Sequence, residues 1–92
     1  MNIHVSNLHL NLIEHDVQRL FIAFGEVTDI TIVRDKLNNR SRGRAFLDMP
    51  VEKQRRNAIA GLDGMEVKGK KISVREVMYD PSISTHLISN NV

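Results

Sequence analysis

From Arg42 to Met49 the residues alternate in character: Arg42, Arg44, Phe46 and Asp48 fall on one parity, and Gly43, Ala45, Leu47 and Met49 on the other. Successive side chains of an extended strand point to opposite faces, so this stretch can bury one side and leaves the other open. The outward set joins two guanidinium groups to an aromatic ring, a chemistry suited to phosphates and flat bases. An ordinary half-buried strand with a charged outer face is the competing reading of this stretch alone.

Other segments share the two-residue period. Ile3 to Leu8 reads as a first strand, with His4 and Ser6 outward. Val27 to Arg34 reads as a second, with Val27 leading in, Ile30 and Ile32 inward, and Thr31 and Val33 outward. The loop Asp35 to Ser41 holds Asn38-Asn39, which tolerates left-handed backbone, so the second strand turns into Arg42–Met49 as a hairpin. A last strand is expected over Lys71 to Val77, with Ile72 and Val74 inward and Lys71, Ser73 and Arg75 outward. Met65 to Lys70 reads as a turn or minor hairpin before it.

Two stretches have helical period instead. Between Ile13 and Phe24, Val17, Leu20, Phe21 and Phe24 form one apolar stripe, and Gly25 is a natural stop. Ile13 stands where a Ser or Thr cap would be expected, and Asn11 is the nearest substitute; Glu14 and Asp16 suit the positive end of the helix dipole. After Pro50, the residues Val51, Ala58, Ile59 and Leu62 share a side until Asp63-Gly64. Gln54 and Arg55 interrupt that stripe, which predicts a narrow contact with the Arg55 stem covering the core edge. Lys53, Arg55 and Arg56 make this helix basic, either as a solvated face or as a secondary phosphate contact.

The resulting order predicts an α+β, ferredoxin-like βαββαβ sandwich: a four-stranded antiparallel sheet with two helices packed on one face. The first and third strands then lie side by side at the centre of an open face. This domain is expected over residues 1–77. The tail, 78–92, carries Asp80-Pro81 as a helix-start signature and Ile83 and Leu87 one turn apart. A short third helix and a disordered segment are both open for it.

With 92 residues and no cysteine, the chain suits one modest core and offers neither a disulfide framework nor a thiolate metal site. It shows no signal-peptide pattern and no apolar run long enough for a membrane, so a soluble, cytoplasmic monomer is expected. The four histidines, His4, His9, His15 and His86, share no ligand spacing, so no metal or cofactor is expected. No Ser, His and acid grouping or glycine-rich phosphate loop suggests an enzyme. Charge is segregated: Arg34 to Arg44 and Lys68 to Arg75 together carry +8 within a net charge of +2. If adjacent in space, these segments form a polyanion-binding patch.

At this point Ile3-His4-Val5-Ser6-Asn7-Leu8 resembles the hexapeptide, and Arg42-Gly43-Arg44-Ala45-Phe46-Leu47-Asp48-Met49 the octapeptide, of the RNA recognition motif family. Asp35-Lys36, Phe24-Gly25-Glu26-Val27, Ala58-Ile59 and Leu62-Asp63-Gly64 are similar to the family at matching positions, and the likeness extends to about Val77. It implies a single-stranded RNA ligand. The three outward positions that in this family stack on bases fall on His4, Arg44 and Phe46, of which only Phe46 is a conventional aromatic. His4 can still stack, and Arg44 can lie flat on a base or grip a phosphate. Arg42 joins these as a phosphate contact, Ser6 and Val33 share the face, and Lys36, Arg40, Lys71 and Arg75 extend the positive rim. Tyr79 either continues the outward side of the last strand and stacks a further base, or packs against the tail or sheet edge. Single-stranded DNA is the alternative nucleic-acid ligand. A protein-interaction module is the alternative class, with the sheet covered by the tail or a partner and with Leu12, Ile13 and Ile22 as a contact.

Overall fold

A computed structural model describes residues 1–78 of the chain. In order, the elements are β1 (Ile3–Ser6), α1 (Glu14–Ile22), β2 (Asp29–Arg34), β3 (Ser41–Asp48), α2 (Glu52–Leu62), β4 (Glu66–Val67), β5 (Lys70–Lys71) and β6 (Ser73–Glu76). The four longer strands pair antiparallel in the order β2-β3-β1-β6, so β1 and β3 are central. This is the expected ferredoxin-like βαββαβ sandwich. The tail and Tyr79 lie outside the described residues.

The core forms where the inward parity of the strands meets the apolar stripes of the helices. Ile3, Val5, Ile32, Ala45, Leu47, Met49, Ile72 and Val74 meet Val17 and Phe21 of α1 and Ala58 and Leu62 of α2. Full burial of a side chain such as Phe21 or Leu47 is worth roughly 1.5–3 kcal/mol relative to exposure. Phe24 lies over Gly61, where a Cβ would stand 2.7 Å from the ring, so a side chain on this helix position would displace it. No described helix is long and apolar enough to cross a membrane.

Several details depart from the sequence expectations. The start of α1 has Ile13 as its cap, and the Asp16 carboxylate accepts a hydrogen bond from the Ile13 amide at 2.9 Å. Asn11 is therefore not the cap; an acid at the third helical position supplies the return half of a capping box instead. Leu12, expected as a contact for a partner, is buried in the core, whereas Ile13 and Ile22 are exposed. The last strand of the main sheet begins at Ser73, because Lys71 belongs to β5 and pairs with Glu66 of β4 in a separate hairpin.

α2 follows its expectation more closely. The Arg55 side chain is only 14% exposed, and its guanidinium donates to the Met49 carbonyl at 2.7 Å and to Glu76 at 3.1 Å. Its charge thus fastens α2 to β6 and the end of β3, which removes it from the candidate phosphate contacts. Gln54 packs over Gly25 and accepts the Glu26 amide at 2.9 Å. That contact needs a glycine, since a Cβ at position 25 would overlap the Gln54 side chain.

Candidate nucleic-acid interface

Burial of Ala45 and Leu47 turns Arg44, Phe46 and Asp48 to the side of the sheet away from the helices. Register then aligns them with the other strands. Thr31 pairs with Phe46, Phe46 with His4, and His4 with Arg75, making one row straight across all four strands. The His4 and Phe46 rings are 4.8 Å apart between centroids with their planes inclined at 40°. Two half-buried rings, tilted against each other at the centre of an open face, present aromatic surface of the kind on which bases can stack.

The surroundings of His4 favour its neutral form. Burial, and secondarily the Arg44 charge, lower its pKa below the ordinary 6.5. A neutral imidazole keeps one nitrogen as an acceptor and loses less to desolvation when another ring covers it.

Arg42 and Arg44 reach this face through a bulge. Between the pairs Ile32↔Ala45 and Arg34↔Ser41, the three residues Arg42, Gly43 and Arg44 stand against Val33 alone. Gly43 has φ +76°, a left-handed conformation, and a Cβ there would lie 3.0 Å from the Leu8 carbonyl oxygen. The Gly43 amide donates to Ser41 Oγ, and its carbonyl accepts from the Leu8 amide at 2.9 Å. The bulge is thus hydrogen-bonded on both sides, and both arginines beside it are exposed.

The loop between β2 and β3 is ordered by its own polar groups. Asp35 Oδ1 accepts from the Leu37 and Asn38 amides, Asn38 Oδ1 accepts from the Arg40 amide, and the Asp35 amide donates to the Arg40 carbonyl. Lys36 and Arg40 are exposed on this loop, and Arg42 lies 4.0 Å from Asp35. Arg34 is committed elsewhere, to Glu14 at 3.0 Å. That pair contributes to keeping the Glu14 carboxyl below its usual range, after the hydrogen bond from the residue's own backbone.

A family model described as RNA recognition motif matches residues 3–73, spanning β1, β2, β3 and both helices and ending at the first residue of β6. The chain belongs to the RNA recognition motif family. A glycine-rich RNA-binding protein of Daucus carota is 38% identical over 63 residues, covering 68% of this chain and 40% of the relative. The putative RNA-binding protein RbpF of Nostoc sp. is 33% identical over 76 residues, covering 83% of the chain and 72% of the relative. Among solved structures, the RNA binding protein PG1 superposes with a TM-score of 0.83 at 37% identity, covering 88% of this chain and 98% of that one. The chain spans about two-fifths of the length of the glycine-rich relatives it matches first.

Within this RNA recognition motif, His4, Phe46 and Arg75 share the central row. Ser6, paired with Ser73, and Arg44 and Val33, which meet at the bulge, lie toward its basic end. Lys36 and Arg40 flank that end on the loop. Lys71 is the misplaced member. It stands off the sheet on β5, tied to the end of β1 by the Asn7 side-chain amide, which donates to the Lys71 carbonyl at 2.8 Å. Tyr79 lies outside the described residues. Thr31, in the central row, was readable as outward but not as a neighbour of Phe46, because only the register shows it. Asp29, the cross-strand partner of Asp48, was missed for the same reason. No group of three or more His, Asp or Glu suited to a metal ion occurs among the described residues.

Proposed function

We propose that the chain holds a few nucleotides of single-stranded RNA across its open sheet, with bases stacked on Phe46 and His4. The observation that carries this reading is the ring pair at 4.8 Å in the middle of the β1–β3 platform. Arg42 and Arg44 serve as phosphate contacts beside it, and Lys36, Arg40 and Arg75 form a positive rim. Lys71 reaches the same end of the sheet from its hairpin. Action as a monomer in the cytoplasm is part of the same proposal.

Titration with single-stranded RNA and DNA homopolymers at several salt concentrations tests it. Saturable RNA binding whose affinity falls steeply with salt is expected, because phosphate contacts release counterions. Equal affinity for DNA would broaden the ligand to single-stranded nucleic acid in general. Absence of binding to every oligonucleotide would remove the proposal and favour a protein partner on the same face.

A further inference from the structure

The open face is electrically polar along the strands. On β3, Arg44 and Arg42 precede Phe46, and Asp48 follows it on the same side. Asp48 pairs directly with Asp29 of β2. Like charges facing each other across a strand pair are destabilising. Among the described residues neither has an ion-pair partner, whereas Arg34 pairs with Glu14, Arg42 with Asp35, Arg55 with Glu76 and Arg56 with Glu52. No hydrogen bond among the described residues engages either carboxylate. Asp48 stands on β3 two residues from Phe46 on the same face, whereas Asp29 is on the neighbouring strand, so Asp48 is the carboxylate beside Phe46 along its own strand.

We infer that Asp48 selects the base that stacks on Phe46, and that this base is guanine. The inference rests on the RNA-binding reading above and deepens it. A phosphate is drawn toward Arg44 and Arg42 and repelled by the Asp48–Asp29 pair. The sugar of a nucleotide on Phe46 therefore lies toward the arginines, and the far edge of its base points to Asp48. Residues two apart on a strand are separated by roughly 6.6 Å, about the reach of a base from its sugar. An ionised carboxylate only accepts hydrogen bonds. Guanine offers it two adjacent donors, N1–H and the N2 amino group, which match its two oxygens. Uracil offers one N–H between two carbonyls that the carboxylate repels, and adenine and cytosine each pair a donor with a ring nitrogen acceptor.

Fluorescence anisotropy with labelled UUUUUU, UUGUUU and the inosine analogue UUIUUU tests this, since inosine lacks only the N2 amino group. Wild-type protein should bind UUGUUU about tenfold or more tighter than UUUUUU, with UUIUUU between them. Asp48→Asn should abolish the guanine preference and raise UUUUUU affinity, because a repulsive charge is gone. Asp29→Asn should keep the preference. Equal wild-type affinity for UUGUUU and UUUUUU, or a preference that survives in folded Asp48→Asn protein, would overturn the assignment. Loss of the preference in Asp29→Asn alone would overturn the choice of Asp48. Failure of wild-type protein to bind any of the three would instead refute the RNA-binding reading, and this inference with it.

Discussion

On β3 the two faces of one strand are under different physical demands. Ala45 and Leu47, and Met49 just past the strand's end, are fully buried, whereas Arg42 and Arg44 are exposed and Phe46 and Asp48 half-buried. The inner residues are held by packing, so a change there acts on folding. The outer residues carry exposed or half-buried charge, of which only Arg42 has an ion-pair partner among the described residues, Asp35 at 4.0 Å, and an incompletely covered ring; these add little to folding and are available to a ligand. Adjacent positions should therefore separate stability from binding, and each face can be attacked in turn.

The largest effect is expected from the inner face. Leu47→Ala should lower unfolding stability by about 2–5 kcal/mol through lost burial and a residual cavity, measured by urea denaturation. RNA affinity per folded molecule should stay near wild type. A large affinity loss in protein that remains fully folded would break the division between the faces.

Phe46→Ala attacks the outer face at the adjacent residue. It should weaken RNA binding by about 1–3 kcal/mol if a base stacks there, with a smaller loss of stability from the contact with His4. Isothermal titration of folded variant protein measures the first and denaturation the second. Unchanged affinity would remove Phe46 from the site.

Arg44→Ala is a smaller and differently shaped perturbation. Losing one phosphate contact to a single strand should reduce the slope of log affinity against log salt by about 0.7. An affinity loss with an unchanged slope would assign Arg44 to stacking rather than to phosphate.

These expectations depend on a face assignment that alternation alone supplied, and the bulge explains why alternation sufficed. Three residues of β3 against one of β2 is an excess of two, which restores the original parity. The bulge was therefore invisible in the pattern and harmless to its reading. Lys71 was misjudged because its position depends on local turn chemistry. Lys68 and Gly69 both have positive φ, and the Ile72 amide and carbonyl bond to Met65 and Gly64, closing the minor hairpin expected over Met65 to Lys70 but carrying it on through Lys71, where alternation starts the last strand. Leu12 lies in a connection with no period to place it inside. The Asp29–Asp48 pair required register, which two strands read separately do not contain.

His4 sits where the two faces meet, outward in parity yet partly covered, and its titration measures that position. Its folded pKa lies below the ordinary 6.5, first because burial penalises the imidazolium and second because Arg44 repels it. Between the folded pKa and 6.5, the unfolded chain binds more protons than the folded one, so stability should fall as pH drops through this window and be fully present above it. Nuclear magnetic resonance of the His4 ring should therefore give a midpoint below 6.5. In Arg44→Ala protein the midpoint should rise only part of the way back, since burial is the larger cause. Complete recovery would mean that His4 is effectively solvated and that the ring pair is too open to act as a platform. No change would place the Arg44 guanidinium away from the rings, and so away from any nucleotide stacked on them.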